Sequence, residues 1–415
     1  VTVFPSTPLW QTEASTTSTG LFSVRSVNSN VVWAAGGNGT ATTPVVIRTT
    51  NGGATWSNVT SNLTGQDLYC IFATDADRAW VGTGSGRIYG TSNGGATWAQ
   101  QTYPGIQSPF INAVWFFNNG TGYAMGDPTS TAAGTFVVLK STNFGQTWAH
   151  TTTEAPSIAN EAGWNNSFWC TDVDHIWFGS NQARVWRSTN GGVSWTSGST
   201  GVTNSYAVSF KDNTNGLAGH STGAMRLSAD GGATWTTASS PTTNPISGLS
   251  FLSGTNSAWT NAGAVPYRTT NNGTSWTAQT VYPISGTLNH SSFADTSNGW
   301  AVTSNGEVLH YRPAGSTGVL PSQDGTIPTE YALGQNYPNP FNPSTKIQFA
   351  VKTREIVSLK VYDVIGREVA TLVNEEKKPG SHTATFNAST LASGVYFYRL
   401  TAGDFVETKK LMLLR

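Results

Sequence analysis

Short apolar runs recur along the first three hundred residues, each broken off by glycine or a small polar cluster. Seven of them share one pattern: Val32-Trp33-Ala34-Ala35-Gly36, Ala79-Trp80-Val81-Gly82, Gly122-Tyr123-Ala124-Met125-Gly126, Ile176-Trp177-Phe178-Gly179, Gly216-Leu217-Ala218-Gly219, Ala258-Trp259-Thr260 and Gly299-Trp300-Ala301-Val302. Ahead of each lies a further apolar run, such as Leu68 to Phe72 or Tyr206 to Phe210. Runs of this length, rich in aromatic and β-branched residues and bounded by turn formers, predict strands.

Between the strands, nearly the same stretch is written six times, ending at Trp56, Trp98, Trp148, Trp195, Trp235 and Trp276. It runs Arg48-Thr-Thr-Asn-Gly-Gly-Ala-Thr-Trp56 in its first copy and Asp230-Gly-Gly-Ala-Thr-Trp235, led by Arg226, in its fifth. Asn-Gly and Asp-Gly supply positive φ at no steric cost, and the Asn or Asp side chain bonds the backbone ahead of it. Each copy therefore predicts a hairpin of fixed register. The tryptophans stand 42, 50, 47, 40 and 41 residues apart, and four strands in a unit of that length make the blade of a β-propeller. Seven inner elements and six complete turns leave one blade short of its outer strand. Pro8-Leu9-Trp10-Gln11-Thr12 matches the strand after the turn, with Trp10 one repeat length before Trp56. The fold expected over residues 1–313 is thus all-β, a seven-bladed propeller whose last blade is closed by the N-terminal strand, which removes two exposed edges.

These turns resemble the Asp-box, or bacterial neuraminidase repeat, Ser/Thr-x-Asp/Asn-x-Gly-x-Thr-Trp. The whole blade is similar to the propellers of photosystem II assembly factors and their bacterial relatives. That resemblance implies the fold and leaves the activity open, because Asp boxes in sialidases lie at the blade periphery, far from the catalytic centre.

The pattern stops between Tyr311 and Glu330, where Pro313, Gly315, Gly318, Pro321, Gly325 and Pro328 read as a linker, residues 314–330. Beyond it, residues 331–415 alternate in period two, with Val357, Leu359 and Val361 on one face and Ser358, Lys360 and Tyr362 on the other. About seven such strands predict a small immunoglobulin-like β-sandwich. It opens with Asn336-Tyr337-Pro338-Asn339-Pro340-Phe341-Asn342-Pro343 and ends on a basic-apolar run that begins Lys409-Lys410. This region resembles the type A C-terminal sorting domain of type IX secretion substrates. The resemblance implies recognition by the type IX translocon and export to the surface of a bacterium or into its medium.

Composition agrees with export. The chain carries 22 basic and 22 acidic residues, so no net charge draws it to nucleic acid or an anionic membrane. Residues 331–415 hold 11 basic and 7 acidic residues, which leaves the propeller region acidic and sparsely charged. No apolar stretch is long enough to span a bilayer, and Val1 reads as a mature N-terminus left after signal cleavage. Cys70 and Cys170 fall on innermost strands with blade 3 between them, too far apart to bond, so two buried free thiols are expected.

Candidate chemistry is thin. Four arginines (Arg48, Arg187, Arg226, Arg268) belong to the repeat, where packing between blades explains them, and the N-terminal arginine motif of sialidases is missing. Xyloglucan hydrolases with Asp-box propellers place an acid on each of two facing propellers, and this chain has one. Asp75/Asp77 and Asp172/Asp174 occupy matching positions that suit turns. The six histidines share no ligand spacing, so no metal and no cofactor is implied. What remains is a binding surface. The longest loops surround blade 3, and the aromatic and acidic residues near them, Tyr103, Trp115, Asp127, Trp164 and Trp169, form the candidate binding face, with Tyr103 and Trp164 placed in loops. The expected function is a secreted or surface-displayed, non-catalytic propeller that binds a glycan polymer or a protein. The alternatives are a structural subunit that assembles with copies of itself into a fibre, sheath or layer, and a glycan hydrolase.

Overall fold

The computed structural model describes residues 9–312, apart from 41, 42, 106, 282 and 283, and residues 331–414, apart from 337, 338 and 340. The linker proposed at 314–330 and the sorting-motif residues Tyr337, Pro338 and Pro340 lie outside the described residues. Every regular element is a strand, and none of the described residues is helical. The chain forms two compact units, one within residues 7–314 and one within 315–415.

Among the described residues the first unit contains seven sheets of four or five strands and a two-stranded ribbon, Gly134–Thr135 with Pro156–Ser157. Six are four-stranded antiparallel meanders in chain order, the first of them Leu21–Ser26, Val32–Gly36, Val45–Thr49 and Ser57–Asn58. The first strands of the others are Leu68–Ala73, Ile111–Phe116, Gly163–Cys170, Ser205–Phe210, Ile246–Phe251 and Leu288–Asp295. Each of these strands packs against the next in order, and Leu288–Asp295 packs against Leu21–Ser26, so the seven sheets follow one another around a ring. The seventh sheet is assembled from both ends of the unit. Leu9–Glu13 pairs antiparallel with Val308–Arg312, Trp10 opposite Tyr311, and Thr280–Val281 adds a short parallel strand outside it.

The six turns share one hydrogen-bond pattern, and the repeated residue types explain it. In the first, the Thr49 hydroxyl donates to Asn51 Oδ1 at 2.9 Å and accepts the Gly53 amide at 3.0 Å. Asn51 Oδ1 also accepts the Thr55 amide at 2.9 Å. Gly52 and Gly53 take φ of 68° and 86°, the left-handed region that glycine enters freely. Asp230 and Ser228 repeat the arrangement in the fifth turn. The third and sixth turns keep these bonds but place Phe144 and Asn272, in lieu of glycine, at the first left-handed position, each at φ 57°.

Repeat residues also join one sheet to the next. Arg48 Nη1 donates to Ala76 O at 2.6 Å while its guanidinium lies over Trp33, and Arg187 Nη1 donates to Asp230 O at 3.0 Å. Trp33 and Trp177 send their indole N–H to Asp75 O and Gly231 O. Asp75 and Asp172 cap turns, each accepting two backbone amides just ahead of it. Cys70 and Cys170 are buried free thiols, and burial pushes the Cys70 thiol up to about 12.

The second unit packs a three-stranded sheet (Ala332–Leu333, Ser344–Val351, Gly380–Asn387) with a four-stranded one, ordered Glu368–Lys377, Glu355–Tyr362, Gly394–Ala402 and Phe405–Leu413. Val357, Leu359 and Val361 are fully buried in its core, on the face the alternation assigns to them.

Candidate functional site

The strand registers bring seven equivalent positions of the innermost strands into one set. Arg25, Phe72, Trp115, Trp169, Ser209, Ser250 and Ser292 each stand opposite the second-strand residue of the same rank, Trp33 in the first sheet and Trp300 in the seventh. The set is lopsided. Ser209 and Ser292 turn their hydroxyls onto the next sheet, where each accepts a backbone amide, from Phe251 at 2.8 Å and Ser26 at 3.0 Å. The first four sheets carry large groups instead. The Arg25 guanidinium sits 4.0 Å from the centre of the Phe72 ring and 5.4 Å from Trp115. Phe72 and Trp115 are 4.9 Å apart, and Trp115 and Trp169 are 5.2 Å apart. A cation and three aromatic rings therefore form a continuous arc over one side of the ring of sheets.

The arc borders a cavity of about 70 Å³ whose walls include Arg25, Phe72, Trp115, Trp169, Asn166, His290 and Ser291. That volume holds a few waters and falls well short of the roughly 300 Å³ of a drug-sized pocket. Asn166 closes it from across the ring. Held at φ 61° in an irregular stretch of the strand Gly163–Cys170, it accepts from the Ser23 hydroxyl at 2.7 Å and donates to the carbonyls of Phe22 and Tyr69. Its side chain thus ties the fourth sheet to the first and second.

Two groups in the cavity are electrostatically marked. Arg25 Nε is buried without a hydrogen-bond partner, and Arg25 is in no ion pair among the described residues. Burial lowers its pKa to about 10, which still leaves it charged at neutral pH. His290 Nδ1 faces the Val24 amide at 3.2 Å and so acts as acceptor, which leaves the proton on Nε2. Burial, followed by the positive charge of Arg25, brings the His290 pKa down to about 4.

Of the five residues expected on a binding face, the structure brings two into this arc, Trp115 and Trp169. Tyr103 is in no open loop: it is buried in the core between the second and third sheets, where its hydroxyl donates to Gly86 O and accepts the Ser108 amide. Trp164, by contrast, is not in a loop. It lies in the strand Gly163–Cys170, half-buried edge-on against Tyr206 at 4.3 Å. Asp127 is a fastening point, its Oδ1 accepting from Asn112 Nδ2 at 2.7 Å and from the Gly163 amide at 2.8 Å, and burial raises its pKa. Sequence reasoning missed Arg25, Phe72, Asn166 and His290 as members of the site. Aligning the seven innermost strands on their pairing with the second strands would have found the first two, since the shared place then reads Arg, Phe, Trp, Trp, Ser, Ser, Ser.

In the second unit, the two halves of the sorting signal meet although they are some 70 residues apart in sequence. Asn339 Oδ1 accepts the Met412 amide at 2.8 Å, and Gln335 Nε2 donates to Lys410 O at 2.7 Å. The Phe341 amide donates to Met412 O, and Phe341 O accepts the Leu414 amide. Asn336 is buried, with its amide on the Tyr398 hydroxyl and its Nδ2 on Thr345 Oγ1. Asn342 and Pro343 are exposed, and Pro343 O accepts the Ala388 amide. Lys409 pairs with Glu407 at 3.4 Å, and Lys410 is exposed.

Residues 335–414 match the family described as the secretion system C-terminal sorting domain. The chain is therefore a secreted bacterial protein, addressed by type IX secretion to the cell surface or beyond. None of the curated proteins matches it. Among solved structures, it is similar to YCF48 bound to D1 peptide, at 15% identity and a TM-score of 0.59 over 73% of this chain and 96% of that one. It is also similar to PorZ of Porphyromonas gingivalis, a surface component of the type IX secretion system, at 15% identity and a TM-score of 0.54. That match covers 97% of this chain, which spans 60% of the PorZ chain. The WD40 β-propeller domain of Doa1 matches at 10% identity and a TM-score of 0.54, over 73% of this chain and 96% of that one. At these identities the likeness shows a β-propeller-like fold alone. No helix among the described residues is long and apolar enough to cross a membrane.

Proposed function

We propose that the chain is a seven-bladed propeller of Asp-box repeats, exported by a type A sorting domain with an immunoglobulin-like sandwich, and that it works outside the cell as a non-catalytic binding protein. The cyclic order of the sheets, with Leu9–Glu13 completing the seventh, supports the seven-bladed reading. The observation that carries the binding role is the arc of Arg25, Phe72, Trp115 and Trp169. Ser209 and Ser292 at the equivalent places bind the neighbouring sheets, whereas Trp115 and Trp169 stay half-buried at the edge of a cavity too small to enclose a substrate. Partly exposed aromatic surface beside a cation suits a partner that lies across the opening, with its bulk outside. The YCF48 structure holds a peptide, which supports a protein partner ahead of a glycan.

The test is capture on the full chain, with extracellular protein and extracellular polysaccharide of the producing bacterium offered separately. Retention that is lost in the Trp115→Ala/Trp169→Ala double variant, at an unchanged far-UV spectrum, is the expected result. Retention that ignores the double variant removes the arc from the binding site.

A further inference from the structure

We infer that Arg25 is the receptor for a carboxylate of a peptide partner, which it draws into the cavity beside Phe72 and Trp115. This rests on the reading of the arc as a binding face. The equivalent Ser209 and Ser292 make bonds that hold the ring together, and Arg25 makes none of that kind: its Nε has no partner, and no acidic side chain pairs with it among the described residues. Arg25 is half-buried with its Nε fully enclosed, and a charge so far withdrawn from water without a partner is costly, a cost the faces of Phe72 and Trp115 offset only in part. A fold retains such a group where a ligand completes it.

The cavity also has the right polarity. Arg25 presents guanidinium N–H groups and no acceptor, and His290 keeps its proton on Nε2 because Nδ1 faces the Val24 amide. Ser291 Oγ, on the same wall, is buried without a partner. Donors thus predominate, which matches the acceptor-only chemistry of a carboxylate, and the guanidinium fork takes one bidentately. The size argues for a peptide. About 70 Å³ admits a carboxylate and its adjoining carbon, while the rest of an extended chain stays outside against Trp115 and Trp169. A uronic acid would have to bring its sugar ring in with the charge.

The experiment is ligand-observed NMR on the full chain with three probes: N-acetyl-trialanine as the free acid, its C-terminal amide, and trigalacturonate. The free acid should bind and the amide should not. Arg25→Gln should weaken the acid at least tenfold, with Arg25→Lys in between because it keeps the charge and loses the fork. A free acid that binds Arg25→Gln as well as wild type overturns the inference, and so does trigalacturonate binding in place of the peptide. Arg25→Met should not lower the thermal midpoint, since it removes an unpaired charge; a clear drop would make Arg25 structural and overturn the inference too. If partner capture falls in Trp115→Ala/Trp169→Ala and survives in Arg25→Gln, the binding face stands and the carboxylate assignment fails.

Discussion

A Cβ placed on Gly53 would stand 2.5 Å from Cη2 of Trp300. Gly53 belongs to the turn of the first sheet and Trp300 to the second strand of the seventh, so this contact lies on the seam where the ring meets itself. Trp300 is fully buried there and meets Trp56 edge-on at 5.6 Å.

Gly53→Ala therefore combines two penalties. The φ of 86° costs a residue with a Cβ about 1–2 kcal/mol, and overpacking a full core adds roughly 1–3 kcal/mol. Gly39→Ala separates the two, because Gly39 has φ 77° with nothing within 4 Å of its Cβ. Urea unfolding should show Gly53→Ala losing clearly more stability than Gly39→Ala. Equal losses would mean that Trp300 moves aside freely.

The N-terminal strand should matter far beyond its length. Trp10 is fully buried between Phe293 and Tyr311, at 5.5 and 5.4 Å. Trp10→Ala should cost about 3–5 kcal/mol, the usual range for emptying such a site. An unchanged urea midpoint would show that the seventh sheet holds without this strand.

Much of this architecture was legible because the repeat dictates it. The second strands fall where the glycine-ended runs placed them, as at Val32–Gly36, and the turn residues bond as Asn-Gly chemistry requires. The closing strand was readable from one tryptophan, Trp10, at one repeat length. The site was harder to read, for a physical reason. Trp115 and Trp169 stand out as large residues, whereas Arg25 shows its place only when the innermost strands are aligned, since it sits outside the repeat turns that hold the sheet-bridging arginines. Its difference is the absence of a partner, and partners are set by the ring. Tyr103 misled in the opposite way: it follows a short outer strand and looks like a loop residue, yet two backbone partners hold its hydroxyl inside. The bond from Asn339 to Met412 spans 73 residues, and no periodicity could announce it.

Stability should fall with acid in a window set by two histidines. His220 is fully buried and His290 lines the cavity, and burial, with Arg226 and Arg25 nearby, brings both pKa values down to about 4. Unfolded, each takes a proton near pH 6.5, while the folded chain keeps both neutral until about pH 4. The unfolded state thus binds more protons between those values, so stability is full above pH 6.5 and is lost as pH falls toward 4. Between pH 7 and pH 5 the loss is roughly 2 kcal/mol for each histidine. His220→Gln should flatten that slope by about half. A variant with the wild-type slope would show that His220 takes up its proton in the folded chain.

The sorting motif makes the last prediction. Asn339 is exposed, yet its side chain is the acceptor for the Met412 amide and also reaches Lys410 O at 3.4 Å. With Phe341 and Gln335 it covers the outer edge of the strand Phe405–Leu413, and so blocks pairing of that edge with another chain. Asn339→Ala should remove about 1 kcal/mol locally, read as amide exchange at Met412 about five times faster. Asn339→Asp keeps the acceptor and should leave that exchange near wild type. If the joined edge is the form in which the address is recognised, Asn339→Ala should also hold back a fraction of the chain in the periplasm, and Asn339→Asp should not. Fast exchange with full export would separate the two roles, leaving the Asn339–Met412 bond as a guard against edge pairing and the address elsewhere on the domain.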